Sequence, residues 1–291
     1  MIARLCGLLL FWSGSAVVVA EDGWIPFELQ GGHIRIPSKV AGIQGESVLD
    51  TGAAGVAISD LVAEQAGLRV KRNTQVSVQG VTGTMQSVMY RKAPVHVFGA
   101  DFEIKDLVGM GYRDDMQMLL GAPLLTLFVY QFDYPNQKLR ALPHKAVNLK
   151  ALSNIPSKRD SRGGRMPVLQ VDLNGQEKLW LTMDTGNNGG LLINRKVAKK
   201  HGWLEQYAVE EGSIAGVTGQ ANTESFKLPR VKFGPFELEN VKVVVPAQGV
   251  SMPPVEGYRI ASKGLIGFDI LKHFVVTVDY KIGKVHVALP E

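Results

Sequence analysis

Apolar and polar residues alternate in short runs along most of the chain, as they do in β-strands with one buried face. Two of these runs, residues 34–50 and 167–184, lead into the same tripeptide. It reads Asp50-Thr51-Gly52 in the first half and Asp184-Thr185-Gly186 in the second. A turn signal interrupts each run, and Asn174-Gly175 is the clearer of the two. The pattern therefore predicts a β-hairpin that ends at each aspartate.

A short helix is predicted after each tripeptide. In the first half, Ser59 or Asp60 can cap this helix and Gly67 can end it. In the second half, Asn194 is the expected cap and Gly202 the expected end. The two helices follow their aspartates at nearly the same distance, so both halves of the chain share one plan.

Two further segments are repeated in the same order. The tetrapeptide Gly80-Val81-Thr82-Gly83 recurs as Gly216-Val217-Thr218-Gly219, each time between extended runs, and is predicted to be a hairpin tip. Residues 119–142 match residues 265–289 through a hydrophobic-hydrophobic-Gly motif, a short helical turn, Phe-Val and Asp-Tyr. This ordered series of matches indicates two copies of one structural unit.

The chain is therefore predicted to be all-β, with two homologous barrel-like lobes and few short helices. Residues 21–145 are the expected N-terminal lobe and residues 166–291 the expected C-terminal lobe. Residues 146–165, which carry several basic charges, are predicted to be a solvated linker.

The first twenty residues differ from the rest of the chain. Arg4 precedes an apolar stretch, and small residues come just before Glu21, which predicts a secretory signal peptide over residues 1–20. A retained membrane anchor is the alternative. Cys6 is the only cysteine, so cleavage would leave a protein without disulfides or a thiol nucleophile. An exported protein of this kind fits a bacterial periplasm, or secretion from a bacterium, better than a eukaryotic secretory route.

Composition and motifs exclude several classes of function. The net charge of +5 comes without a long basic stripe, so nucleic-acid binding is not expected. The six histidines are scattered without metal-ligand spacing, and no Gly-x-Ser-x-Gly or phosphate-binding glycine loop is present. We therefore expect no metal and no cofactor. No later stretch is apolar for long enough to span a bilayer once the signal is removed.

The series of Asp-Thr-Gly, glycine hairpin and hydrophobic-hydrophobic-Gly resembles the retropepsin-like and pepsin-like aspartic peptidases, once per half. In that family, two Asp-Thr-Gly loops meet across a pseudo-twofold axis and hold one water molecule. The resemblance implies that Asp50 and Asp184 are the catalytic pair. Two carboxyl groups in contact cannot both ionise cheaply, so one acts as a base while the other acts as an acid at the same pH.

The same resemblance assigns roles to the neighbouring residues. Thr51 and Thr185 would cross-bond the two loops, while Gly52 and Gly186 would let the backbone pass close to the opposite carboxyl group. The hairpin tips 80–83 and 216–219 would be flaps over the cleft. The first flap lacks the tyrosine typical of pepsin-like members, which favours a retropepsin-like site with two comparable flaps.

One position departs from the family pattern. Asn187 and Asn188 follow the second tripeptide, where small residues or Ser/Thr are usual. We expect Asn187 to support the loop, and its amide could donate a hydrogen bond to a carboxylate and make Asp184 the charged partner. Alternatively, this departure is a sign of weakened activity.

The expected function is that of an exported aspartic endopeptidase that processes selected proteins by binding an extended polypeptide segment between its lobes. A catalytically weak or inactive peptide-binding module on the same scaffold is the alternative. Because one chain holds both halves, we expect a monomer rather than a homodimer of paired lobes.

Overall fold

The computed structural model describes residues 23–160, 166–216, 218–252 and 262–291. The predicted signal peptide, the end of the predicted linker and Val217 of the second hairpin tip lie outside these residues. The described chain is mostly β-strand, with six helices of four to six residues among the described residues. The predicted all-β class with few short helices is confirmed.

The first half contains eleven strands and two helices: β1 (Ile25–Pro26), β2 (Glu28–Gln30), β3 (His33–Val40), β4 (Ile43–Leu49), β5 (Ala57–Ile58), α1 (Asp60–Gln65), β6 (Val70–Gly80), β7 (Gly83–Val97), β8 (Ala100–Gly109), β9 (Met118–Leu120), α2 (Ala122–Leu125), β10 (Val129–Asp133) and β11 (Lys138–Leu142).

The second half contains ten strands and four helices: α3 (Leu149–Leu152), β12 (Ser157–Arg159), β13 (Pro167–Leu173), β14 (Glu177–Met183), β15 (Leu191–Ile193), α4 (Arg195–Lys200), α5 (Trp203–Gln206), β16 (Glu210–Gly216), β17 (Gly219–Phe233), β18 (Phe236–Pro246), β19 (Gly264–Ile266), α6 (Phe268–Leu271), β20 (Val275–Asp279) and β21 (Lys284–Ala288).

Each lobe is built on an eight-stranded sheet, and the two strand orders match element for element. The first is β2-β3-β4-β9-β5-β8-β7-β6, and the second is β12-β13-β14-β19-β15-β18-β17-β16. Additional pairing of β3 with β7, and of β13 with β17, closes six strands of each sheet into a barrel. The prediction of two homologous barrel-like lobes is therefore confirmed.

A third sheet joins the lobes, in the order β1-β11-β10-β20-β21. Its central pair is β10 of the first lobe and β20 of the second, which run antiparallel with Gln131 opposite Thr277. Since the two strands occupy equivalent positions in their lobes, the pseudo-twofold axis passes between these residues. Tyr130 and Phe132 of β10, and Val276 and Val278 of β20, are fully buried in the common core.

The stretch between the lobes contains secondary structure of its own. Within residues 146–160, helix α3 packs against β21, and strand β12 pairs with β13. Both partners belong to the second half of the chain, so this stretch adds an edge strand to the second barrel. None of the helices in the described part of the chain is long and apolar enough to cross a membrane.

Candidate active site

Both Asp-Thr-Gly loops begin where a barrel strand ends, and the same hydrogen bond fixes the start of each loop. The backbone N–H of Asp50, just after β4, donates to the Leu120 carbonyl at 3.0 Å. The backbone N–H of Asp184, just after β14, donates to the Ile266 carbonyl at 2.9 Å. The parallel pairing of β4 with β9, and of β14 with β19, thus places each aspartate at the edge of its barrel that faces the other lobe.

The structure brings the two aspartates together. The Asp184 carboxyl group donates a hydrogen bond to the Asp50 carboxyl group. Each carboxyl group also accepts a bond from its own loop, from the Gly52 N–H at 2.8 Å and the Gly186 N–H at 2.9 Å. The two carboxyl groups are therefore in contact with each other, and each is held by one backbone N–H group.

Thr51 and Thr185 bind the two loops to each other across the lobe boundary. The Thr51 hydroxyl donates to the Met183 carbonyl at 2.8 Å, and the Thr185 hydroxyl donates to the Leu49 carbonyl at 2.6 Å. The Thr51 hydroxyl also accepts a bond from the Thr185 N–H at 2.8 Å, and the Thr185 hydroxyl accepts one from the Thr51 N–H at 3.0 Å. The threonines are almost completely buried, so these bonds are shielded from water and keep the carboxyl groups in register.

Burial determines the protonation of the pair. It raises the pKa of both carboxyl groups, and the neighbouring charge of Asp50 raises the pKa of Asp184 further. The bond donated by Asp184 and the N–H of Gly52 offset part of this effect at Asp50. The pair therefore holds one proton over a range of pH, with Asp184 protonated and Asp50 ionised.

The expectation that the Asn187 amide donates to a carboxylate is wrong. Its side-chain N–H donates to the Gly190 carbonyl at 3.1 Å, and its side-chain oxygen accepts from the Gly189 N–H at 3.0 Å. Asn187 thus stabilises the turn of its own loop, as an Asx-type turn does. The backbone N–H of Asn187 lowers the pKa of Asp184, but the opposing causes are larger, so Asp184 is the protonated partner and not the charged one.

Sequence reasoning missed two residues at the site. His33 was one of six scattered histidines, and Tyr280 was only part of the repeated Asp-Tyr. The Tyr280 hydroxyl is buried and donates to the Thr51 carbonyl at 2.8 Å. His33 begins β3, and its Nε2 lies 3.0 Å from the Gly186 carbonyl oxygen in the opposite lobe. The repetition of Asp-Tyr at residues 133–134 and 279–280 was a signal for Tyr280, whereas nothing in the sequence pointed to the contact of His33.

His33 makes the pair unequal. The charge of a protonated His33 lowers the pKa of Asp50. The pKa of Asp184 is not lowered by a neighbouring cation. The strand registers show that Met166 is the second-lobe equivalent of His33. Ile34 pairs with Leu49, the residue before Asp50, and Val168 pairs with Thr182, two residues before Asp184. Pro167 is therefore equivalent to Ile34, and Met166 to His33. The charge on the first lobe therefore has no counterpart on the second and favours Asp50 as the ionised partner.

We predict that His33→Gln moves the acidic limb of the kcat/KM pH profile to higher pH. Glutamine keeps an N–H donor for the Gly186 carbonyl but carries no charge, so the pKa of Asp50 rises and the ionised base is lost at higher pH. The control is His96→Gln, since His96 pairs with Asp101 on the surface of the first lobe. An acidic limb that stays in place in His33→Gln would show that this charge does not act on the pair.

The two repeated tetrapeptides form hairpin tips that meet. Gly80 pairs with Gly83 at the end of the β6–β7 hairpin, and Gly216 pairs with Gly219 at the end of the β16–β17 hairpin. The Thr82 hydroxyl oxygen accepts bonds from the Thr218 hydroxyl at 2.8 Å and from the Thr218 N–H at 3.3 Å. The tips of the two hairpins are therefore hydrogen-bonded to each other across the lobe boundary.

Among the described residues, no group of three or more His, Cys, Asp or Glu side chains is placed to hold a metal ion. The chemistry available at the site is that of a buried carboxyl pair with one proton, supported by backbone N–H groups.

Comparison with known protein families agrees with this geometry. Residues 36–126 match the family described as gag-polyprotein putative aspartyl protease, and residues 169–270 match the family described as Aspartyl protease. A search among curated proteins returned no match. The first match contains Asp50 and the first hairpin, and the second contains Asp184 and the second hairpin. One match to a retropepsin-like aspartyl protease family lies in each lobe, which confirms the resemblance to these aspartic peptidases.

Proposed function

We propose that the protein is an exported aspartic endopeptidase that cleaves extended segments of selected polypeptides. The observation that carries the proposal is the hydrogen-bonded pair of Asp50 and Asp184, contributed by two lobes of one chain. Because both carboxyl groups come from the same chain, the site is complete in a monomer.

The protonation of the pair supports Asp50 as the general base and Asp184 as the general acid. The ionised Asp50 accepts a proton from a water molecule as its oxygen attacks the carbonyl carbon of the peptide bond. The protonated Asp184 donates to the carbonyl oxygen, which gives a tetrahedral intermediate. The proton on Asp50 then passes to the amide nitrogen as the C–N bond breaks, and Asp184 regains its proton from the intermediate.

The joined hairpins support selectivity for flexible segments. Since the tips of the two flaps are hydrogen-bonded to each other, a substrate enters only when they separate. A folded domain is too thick to lie between the flaps and the carboxyl pair, whereas an extended strand fits. We therefore expect cleavage at exposed, unstructured segments and few sites per protein.

A library of proteome-derived peptides, profiled by mass spectrometry with the chain beginning at Glu21, tests this function. We expect cleavage at a restricted set of internal sites, with no need for added metal and with chelators having no effect. Degradation of nearly every peptide would contradict the selectivity. Binding of peptides without hydrolysis at any pH from 3 to 8, a range about the reference carboxyl pKa values, would instead favour the inactive peptide-binding module.

Export is part of the proposal and rests on the sequence of residues 1–20. Expression of the full chain in a bacterium, followed by fractionation and N-terminal sequencing, provides the test. We expect a periplasmic or secreted protein that begins at Glu21. Recovery of the uncleaved chain in the membrane fraction would show that the segment is kept as an anchor.

A further inference from the structure

A small apolar cluster lies apart from the main core of the molecule. It consists of the buried residues Leu192, Met252 and Leu265. The side chains that pack against them include Val81 of the first flap, Ile214 of the β16–β17 hairpin and Val250 of the segment after β18. We call these six residues the lobe-2 cluster.

The position of the lobe-2 cluster is that of a substrate side-chain pocket. Leu265 pairs with Thr182, two residues before Asp184, and Leu192 pairs with Leu265 on the next strand. Val81 reaches the cluster from the tip of the first flap. The cluster therefore lies between the carboxyl pair and the flaps, where the side chain of an extended substrate on the second-lobe side of the scissile bond would bind.

The equivalent place in the first lobe is open. There, Ala57 pairs with Leu119 as Leu192 pairs with Leu265 in the second lobe. Ala57 and Leu119 are partly exposed, whereas Leu192 is 1% and Leu265 is 7% exposed. The first-lobe position also has the smaller side chain, so the two sides of the cleft differ both in size and in access.

The cause of the difference is a longer connection in the second lobe. Residues 110–117 connect β8 to β9 in the first lobe, whereas residues 247–263 connect β18 to β19 in the second. The ends of the longer segment are anchored on the lobe itself. The Ala247 N–H donates to the carbonyl of Asn222 in β17, and the Thr182 N–H donates to the Ser262 hydroxyl.

Met252, which belongs to this segment, is fully buried in the lobe-2 cluster. A methionine is flexible and polarizable, and it fills irregular apolar space well. Its side chain occupies volume that a substrate side chain would otherwise take.

We propose that Met252 is a specificity-determining residue that fills the pocket on the second-lobe side of the cleft. The enzyme then accepts a bulky apolar residue on the side of the scissile bond that faces Ala57, and a small residue on the side that faces Leu192. This inference rests on the proposed function and names its substrate class: peptides with one large apolar and one small residue at the cleavage site.

The test uses four peptide sets with Leu or Ala on either side of the scissile bond. The wild-type chain is expected to cleave peptides with one bulky and one small residue and to discriminate against those with two bulky residues. Met252→Ala empties the pocket, and we expect kcat/KM for the doubly bulky peptides to rise at least about tenfold. Ala57→Met is expected to have the opposite effect, lowering kcat/KM for peptides with a bulky residue on the first-lobe side.

The matched control is Met118→Ala. Met118 is also fully buried but lies in the main core of the first barrel, so this variant is expected to lose stability without a change of preference. Equal cleavage of all four sets by the wild-type chain, or an unchanged preference in Met252→Ala, would overturn the proposal.

Failure of the proposed function can be told apart from failure of this inference. If the chain hydrolyses none of the peptides, the affinities of the same four sets for the wild-type and Met252→Ala proteins are measured by calorimetry. Tighter binding of the doubly bulky set by Met252→Ala would support the filled pocket even without catalysis, and equal affinities would overturn it.

Discussion

Asp184→Asn is expected to lower kcat by at least about 10³-fold, and to stabilise the folded protein at neutral pH. The loss of activity follows because asparagine cannot supply the proton that Asp184 donates toward the substrate. The gain in stability follows because burial and the charge of Asp50 raise the pKa of Asp184 in the folded state. The two opposite effects of one substitution separate a catalytic carboxyl group from a structural one.

The direction of the pH dependence follows from the raised pKa. A carboxyl group whose pKa is raised on folding contributes stability that is fully present below its ordinary pKa of 3.8. That contribution is lost as the pH rises through the higher pKa of the folded state. Thermal melts of the wild type and of Asp184→Asn should therefore coincide near pH 3 and separate toward neutral pH, with the variant melting higher.

Asp133→Asn is a matched control, since Asp133 is also buried and lies at the end of strand β10. Its carboxyl group accepts bonds from the backbone and side-chain N–H groups of Asn136, which an amide accepts less well. We expect this variant to melt lower than the wild type while its folded fraction keeps the wild-type kcat. If Asp184→Asn behaved as Asp133→Asn does, Asp184 would have a structural role and no catalytic one.

The repeated halves made most of the fold predictable from sequence. The Asp-Thr-Gly tripeptides, the glycine tips and the matching ends of the two halves are local signals, and each is formed by residues near in the chain. The barrel closure and the pairing of β10 with β20 then follow from repeating one plan twice around an axis. The strand β12 was not predicted because its charged residues resemble those of a solvated connector and its pairing is set by β13.

The parts of the site that escaped prediction depend on contacts between distant segments. From the sequence, the Asn187 amide could bond either to a carboxylate or to its own loop. The backbone conformation of residues 187–190 places the Gly189 N–H and the Gly190 carbonyl within reach, so the amide bonds to the loop. His33 is 153 positions from the carbonyl group that it contacts. Met252 lies in the connection between β18 and β19, and its burial depends on side chains from both flap hairpins, β6–β7 and β16–β17. These contacts break the symmetry that the sequence repeat implies.

Gly52→Ala is expected to reduce kcat by about 10²-fold or more and to destabilise the fold, because this glycine has no space for a methyl group. A Cβ on Gly52 would lie 2.5 Å from the nearest carboxyl atoms of Asp184, and one on Gly186 would lie 2.6 Å from those of Asp50. One loop must therefore retreat, which separates the carboxyl groups and breaks the bond by which they share a proton. A displacement of about 1 Å is enough for a loss of this size.

The same first loop provides the control, because a Cβ on Gly55 would meet nothing within 4 Å. Gly55→Ala should keep the wild-type kcat and stability, whereas Gly52→Ala loses both. Steady-state kinetics and thermal melts of the two variants make the measurement. Both variants add one methyl group to the same loop. A difference in kcat or melting temperature between them therefore results from the close approach of Gly52 to the Asp184 carboxyl group. Full activity in Gly52→Ala would mean that the two aspartates do not act as a contacting pair.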